Sequence, residues 1–530
     1  MIARCLSALM LAAALANAPA AAAAPDPAAT AEMMQRLYPP GAPALLWHEP
    51  GTAAAALALL GQAAEHGLDP GDYAADELAA RFALSQGDYG VDRALSLAIL
   101  HLLSDLHEGR VAPDLRLPAR DGAVARFDPA GQLLMAMQRQ DPGAAVEAAA
   151  PRNPLYQRVR ASLRHYRTLA RDAPPWPTPA GLAPGGALTA SPPAALAALR
   201  ERLVLLGDLD PEAASPNELA AALARFQARH GLAENGRLDR DTLGALAVPL
   251  GHRVRQLALT LERLRWMPPL RPGRIIVVNV AAYRLWAFNT TAPAAAPLEM
   301  KVIVGKAART QTPLFIGQMR YLEFNPYWNV PPSIARAEIA PKLARDPGYL
   351  VRQQMELVSA SGQVQRSAGP GAAAALRAGT LRVRQRPGAH NVLGAVKFAM
   401  PNPMNIYLHS TSARELFGKT RRDLSHGCIR LERPAELAQF VLDGQAPWDA
   451  ASIAAAMAPG PMRRVTLDDV IPVVLFYATA ATDRQGRALF AEDIYRRDAA
   501  LLRSLAARGP HRAISEALQA VPAAAAPPSP

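Results

Sequence analysis

Hydrophobic and polar positions change period along the chain. Between residues 30 and 175 apolar positions recur at helical spacing. Leu57, Leu59, Leu60, Ala63 and Ala64 predict a helix over Ala53–Gly67, closing at Gly67 before the turn Leu68-Asp69-Pro70-Gly71-Asp72. Ala94–Leu106 is a second amphipathic helix, halted near Gly109 and Pro113, and Gln132–Ala149 and Asn153–Arg171 read as two more. His101 and His107 lie near a helix end and read as packing or surface residues. Seven prolines from Pro174 through Pro193 mark a linker. Three short helices follow, Ala194–Leu206, Pro216–His230 and Asp239–Ala247, with Gly231 capping the second and Asp239 opening the third. After a helix over Gly251–Met267 the period becomes strand-like. Ile275–Val280, Tyr283–Phe288, Glu299–Val304, Met319–Asn325, Lys397–Met400, Asn405–His409, Val465–Leu467 and Ile471–Tyr477 read as strands. Leu431–Leu442 reads as a helix, and Asp483–Ala506 as a polar turn and a terminal helix. The expected fold class is multidomain α+β: a helical scaffold, a three-helix module and a mainly-β domain.

Composition narrows the setting. A chain of 530 residues exceeds what one hydrophobic core fills, and 50% hydrophobic with 19% charged residues fits folded domains. The formal charge is +12, and only five of the 57 basic residues are Lys. That charge suits an anionic polymer or surface. Residues 1–24 have the layout of a secretory signal: Arg4, an apolar run Leu6–Leu15, then small residues with Ala-x-Ala spacing around Ala18–Ala24. Export would remove Cys5 and Arg4, leaving one thiol, Cys428, and a charge of about +11. No intramolecular disulfide is then possible. The Ala/Pro tail 521–530 is expected to be disordered.

Cys428 sits in Ser425-His426-Gly427-Cys428-Ile429-Arg430, a polar, basic, Gly-containing setting that suits a reactive thiol. A helix expected to start near Glu432–Pro434 would place its positive end by the sulfur, and Arg430 adds charge. Gly427 lets the backbone turn, so that nearby amides point into an oxyanion hole. A thiol nucleophile needs a base. His409, ending a strand, is the better partner in space; His426 lies in the turn, where no period fixes its facing. A third group should hold the His409 tautomer, and the carbonyl of Ser410 or of a neighbour is in reach. No His-Glu-x-x-His run occurs and the other histidines are scattered, so no metal site is expected, nor any cofactor.

Tyr407-Leu408-His409, sixteen residues, then His426-Gly427-Cys428 resembles the signature of the YkuD-type L,D-transpeptidases. Phe324-Asn325-Pro326-Tyr327-Trp328-Asn329-Val330-Pro331-Pro332-Ser333-Ile334-Ala335 resembles the entry to the active-site cap of large Gram-negative, YcbB-like members; Arg386-Pro387-Gly388, Asn391, Leu393-Gly394 and Lys397-Phe398 resemble its exit. Phe226, Gln227, Gly231, Leu232, Gly236, Thr242 and Leu243 resemble a three-helix peptidoglycan-binding domain. The organisation this implies is a signal peptide at 1–24, a helical scaffold at 30–175, a connection at 176–193 and a peptidoglycan-binding-like module at 194–250. A linking helix at 251–273 would precede the catalytic domain at 274–510, which carries a cap at 331–387. The cap is expected to hold a helical start at Ser333–Ala340 and a Gly/Ala-rich stretch at Gly369–Gly379.

The resemblance implies a periplasmic enzyme. Cys428 would attack the third residue of a donor tetrapeptide, D-alanine would leave with His409 handling the proton, and an acceptor diaminopimelate would resolve the thioester into a 3→3 cross-link. Gly427, His426 and Ser410 would support the oxyanion or the base, and Tyr407, Arg430, Trp328 and Asn391 would line the substrate site. Stem peptides are the implied partners, with other wall-synthesis proteins as candidates, and no nucleic acid or membrane span. Two alternatives stand: an L,D-carboxypeptidase or cross-link hydrolase using the same thioester, and a non-catalytic wall-binding protein.

Overall fold

The computed structural model describes residues 27–520 except 42–43, 86, 114–126, 174–180, 186–187, 189–190, 214 and 270. The expected leader, the tail and part of the 176–193 connection lie outside the described residues. The chain forms two compact units: the first holds the residues up to Pro269 and those from Ala478 on, the second the β-rich stretch between them.

In the first unit the helical periodicity is realised with shifted ends. The helix Pro50–Gln62 tightens into a 3-10 turn, Ala63–His66, and stops at Gly67. Gly67 has φ 76°, and a Cβ there would lie 3.0 Å from Ala258 Cα, so both conformation and close approach require glycine. The single helix expected over Gln132–Ala149 is two, Pro129–Gln138 and Gly143–Ala149, broken at Asp141-Pro142. The three-helix module forms over Pro193–Leu205, Pro216–Arg229 and Arg240–Ala247 around Leu199, Leu203, Leu223, Phe226 and Leu246. Ser215 and Glu218 make a reciprocal capping box, and Asp239 caps the third helix at Thr242 N, 2.7 Å.

The linking helix, Leu250–Arg265, is buried on most sides and carries polar groups that need partners. They find them in the C-terminal stretch. Arg263 pairs with Asp498 at 2.6 Å, Gln256 Nε2 donates to Ala491 O at 3.0 Å, and Thr260 Oγ1 donates to Ala480 O at 3.0 Å. The hairpin Ala480–Thr482/Ala488–Phe490 and the helices Arg497–Arg508 and Arg512–Gln519 therefore belong to the helical unit. The β-rich unit ends at Tyr477 rather than at 510.

The second unit is built on strands β1 Arg274–Asn279, β2 Arg284–Asn289, β3 Leu298–Gly305 and β4 Phe315–Phe324; a cap sheet of β5 Trp328–Asn329, β6 Met355–Ser359, β7 Val364–Gln365 and β8 Leu381–Gln385; then β9 Val396–Ala399, β10 Leu408–His409, β11 Asp423–Ser425, β12 Ile429–Leu431 and β13 Arg463–Phe476. The main sheet runs β11-β3-β12-β10-β9-β4-β13-β1-β2, and β2 pairs with β3 again, which closes it into a ring. The cap sheet, β5-β8-β6-β7, and the helices beside it enclose a core of their own, with Ile339, Leu343, Leu350, Leu357, Leu376 and Val383 buried. The insertion is thus a small folded body that begins with β5, ahead of the expected 331.

Candidate active site

Sheet register assembles the site. On the short parallel pair β10–β12, His409 lies opposite Arg430; on the other side, across β9, it lies opposite Lys397, which in turn faces Glu323 on β4. Directly opposed residues project to the same side of a sheet, so Glu323, Lys397, His409 and Arg430 form one row. Alternate residues along a strand share a face, which brings Tyr407 and Cys428 to that side one step along. The Tyr407 carbonyl accepts from Ile429 N at 3.1 Å and anchors this step.

His409 is buried. Its Nδ1 donates to the Ser410 carbonyl, with the Leu393 carbonyl as a second backbone acceptor. That bond fixes the tautomer and leaves Nε2 as a base. Burial, then the nearby Arg430 guanidinium, lowers the ring's pKa to about 3, so it is neutral at ordinary pH. Gly394, φ 63°, lies against this corner: a Cβ there would come within 2.6 Å of Ser410 Oγ. The Tyr407 ring meets that of His409 edge-on, centroids 5.7 Å apart.

The Cys428 thiol is pushed up by burial and pulled down by the Tyr407 amide and hydroxyl, which donate to the sulfur, and by the charges of Lys397 and Arg430. The Tyr407 hydroxyl also accepts from Trp328, and the Asn405 carbonyl lies 3.6 Å from Sγ. The helix starts at Pro434, within the expected window, but strand β12 lies between its first turn and Cys428, so its end is not at the sulfur. The reason lies in Ile429 and Leu431, which the barrel draws into its wall.

The turn itself is tied down. Gly427 has φ 115°. Its amide donates to Ser425 Oγ at 3.0 Å, and its carbonyl accepts from buried Thr312 Oγ1 at 2.8 Å. Ser425 Oγ in turn donates to the Cys428 carbonyl at 2.6 Å. The Gly427 amide is therefore already bonded and is not aimed at an oxyanion. His426 turns away to the cap, with Nε2 2.6 Å from Glu338 Oε1, and is no oxyanion donor either.

Asn391, expected to touch substrate, is fully buried. Its Nδ2 donates to Pro326 O at 2.8 Å and Arg386 O at 3.0 Å, and its Oδ1 accepts from Leu393 N at 2.8 Å. It braces the two ends of the cap. Arg430 is half-buried, and its Nε has no hydrogen-bond partner among the described residues. Sequence reading passed over Lys397 and Glu323 as functional groups, and over Thr312 and Ser425 as supports. Lys397 sits on another strand, where register reveals it, and Thr312 lies in the loop between β3 and β4, where only its hydrogen bond to the Gly427 carbonyl does. Among the described residues no cluster of His, Cys, Asp and Glu is suited to a metal ion.

A neutral imidazole with Nδ1 held by a carbonyl, on the same face as a thiol that receives two hydrogen bonds, can serve acyl transfer through sulfur. Residues 273–450 match a family model described as the L,D-transpeptidase catalytic domain, YkuD. This part of the chain is a YkuD-type L,D-transpeptidase domain. Residues 32–163 match a scaffold domain, and 193–246 a model described as "Putative peptidoglycan binding domain". A Haemophilus influenzae protein named "Putative L,D-transpeptidase" is 31% identical over 269 residues, which cover 50% of this chain and 53% of that protein. The alignment thus spans about half the length of the relative. The match to the L,D-transpeptidase model ends at 450, whereas the barrel needs β13, up to Phe476, to close.

Proposed function

We propose that this protein is an exported, periplasmic L,D-transpeptidase that cross-links peptidoglycan stem peptides 3→3, with Cys428 as nucleophile and His409 as base. The observation that carries the reading is the shared sheet face: the thiol under the Tyr407 hydroxyl, and the His409 ring held by the Ser410 carbonyl with Nε2 unprotonated. Nε2 takes the thiol proton as sulfur attacks the carbonyl of the third residue of a donor tetrapeptide. The C–N bond to D-alanine breaks, the proton passes to the leaving amine, and a thioester remains. The side-chain amine of a second stem's diaminopimelate then attacks. An amide forms, the C–S bond breaks and the thiol is restored. Arg430, with its Nε unpartnered, is placed to meet a carboxylate of the stem, and Trp328 and Tyr407 wall the sulfur. With the Gly427 amide bonded, the oxyanion would draw on the Cys428 amide.

Transfer is favoured over hydrolysis by the folded cap, whose Glu338 reaches the residue two before the thiol. Such a cover excludes water from a thioester. The charge of +12 fits work against an anionic wall, and no helix among the described residues is long and apolar enough to cross a membrane. Purified protein incubated with tetrapeptide muropeptides tests the reading by product mass. Dimers lacking one D-alanine support it. Tripeptide monomers alone would assign the hydrolase instead, and no product from the wild type, or product from Cys428→Ala, would end it.

A further inference from the structure

The row across the sheet contains one pair that the reaction outlined above does not use. Lys397 Nζ and Glu323 Oε2 are 2.9 Å apart, and both side chains are largely buried. The same ammonium lies over the Tyr407 ring, 4.9 Å from its centroid. Tyr407 is the residue whose amide and hydroxyl donate to the Cys428 sulfur. The chain has five lysines against 52 arginines, so a lysine here is the minority choice. A compact ammonium can sit on a ring face and still make a single-point ion pair.

We propose that Lys397, held by Glu323, is a positioning residue that makes Cys428 more acidic, acting through Tyr407 and by its own charge. This rests on the reading of Cys428 as the nucleophile. With His409 neutral, no thiolate–imidazolium pair forms at rest, so the anion needs other cations. Two stand on this face: Arg430 from β12 and Lys397 from β9. Glu323 opposes Lys397, and Glu415 opposes Arg430. The remaining groups about the sulfur are His409 from β10, Tyr407 just before it, and the His426–Glu338 pair at the cap. Glu323 therefore has two opposite effects. It fixes the ammonium over the ring, and it cancels part of its charge.

The opposing signs give the test. In the full chain, the rate of iodoacetamide modification is read on the Cys428 peptide by mass across pH. For Lys397→Met the midpoint is expected to rise by about one pH unit. For Glu323→Gln it is expected to fall by roughly half a unit, since the ammonium loses its counter-charge. Lys397→Arg keeps the charge and is expected to stay near the wild type. A role limited to packing would shift neither midpoint, or both the same way, and either result overturns the proposal. Should Lys397→Met fail to fold, Glu323→Gln decides alone: a lower midpoint supports the proposal, an unmoved or higher one ends it. Failure of the functional reading looks different, because Cys428→Ala would then retain turnover on muropeptides.

Discussion

Two regions of this molecule carry recognisable sequence signatures, and the structure uses them in opposite ways. In the β-rich unit, Tyr407, His409, Cys428 and Arg430 lie on one sheet face: an imidazole whose Nδ1 is held by the Ser410 carbonyl, a thiol, and a guanidinium whose Nε has no hydrogen-bond partner among the described residues. In the three-helix module the signature residues are used up internally. Phe226, Gln227 and Thr242 are fully buried. The Gln227 amide donates to Asn235 Oδ1, Arg237 O and Thr242 Oγ1, and its oxygen accepts from Asn235 N and Gly236 N. Gly236, φ 65°, leaves no room for a side chain, since a Cβ would lie 2.7 Å from Ala220 O. One signature gathers polar and titratable groups on a sheet face; the other specifies a fold and says nothing about a ligand.

That contrast breaks first at the thiol. Cys428→Ala is expected to lower turnover at least about a thousandfold with little change in thermal stability, and His409→Gln by roughly a hundred- to ten-thousandfold. Muropeptide assays and melting curves on the same preparations check both. A large loss of stability in either variant would mean that these residues, too, serve the fold.

Gln227→Ala should do the reverse. It removes five hydrogen bonds and leaves buried backbone groups unpaired, which costs about 2–4 kcal/mol. Denaturant unfolding should show this, while the folded fraction turns over at the wild-type rate.

The contrast also explains what was legible in the sequence. The helical unit and the switch to strands at Arg274 are local patterns and could be read, and the short motifs holding His409 and Cys428 are ones that the fold brings to one sheet face. The helix expected near Glu432–Pro434 does start at Pro434, but the strand between it and Cys428 is not a local pattern: Arg430 and Leu431 pair with Ile303 and Val302, more than a hundred positions earlier. The placement of Asn391 failed: its motif is clear, but only the fold shows that it faces Pro326 O rather than the groove. The C-terminal stretch left the β-rich unit because buried polar groups on Leu250–Arg265 required it, and no periodicity reports such a demand.

A gentler probe is acid. His66 and His101 in the helical unit and His409 in the β-rich unit are all held at about 3, chiefly by burial, below the ordinary 6.5. A depressed folded value means that the unfolded chain takes up the proton first. The stability contributed is complete above about pH 6.5 and is lost as pH falls towards 3. Melting temperature should therefore fall across that window. His101, whose Nε2 has no partner among the described residues, offers the cleanest control. His101→Phe should flatten the slope by about one proton, or roughly 1.4 kcal/mol per pH unit. An unchanged slope would mean that His101 does not titrate with unfolding.

The smallest expected effect lies where the chemical signature meets the cap. His426 and Glu338 are each about a third to two-fifths exposed, 34% and 40%, so their contact contributes little to stability in water. Glu338→Ala should change the unfolding free energy by less than about 1 kcal/mol. Its effect on product should be bounded by the same figure: a rise in the hydrolysed fraction of less than about fivefold, with total thioester turnover unchanged. The direction matters more than the size. More hydrolysis with constant turnover would make His426 a third kind of signature residue, one that neither reacts nor braces the core but holds the cover over the sulfur. An unchanged ratio would leave it a surface contact, and water exclusion would then rest on the packed core of the cap alone.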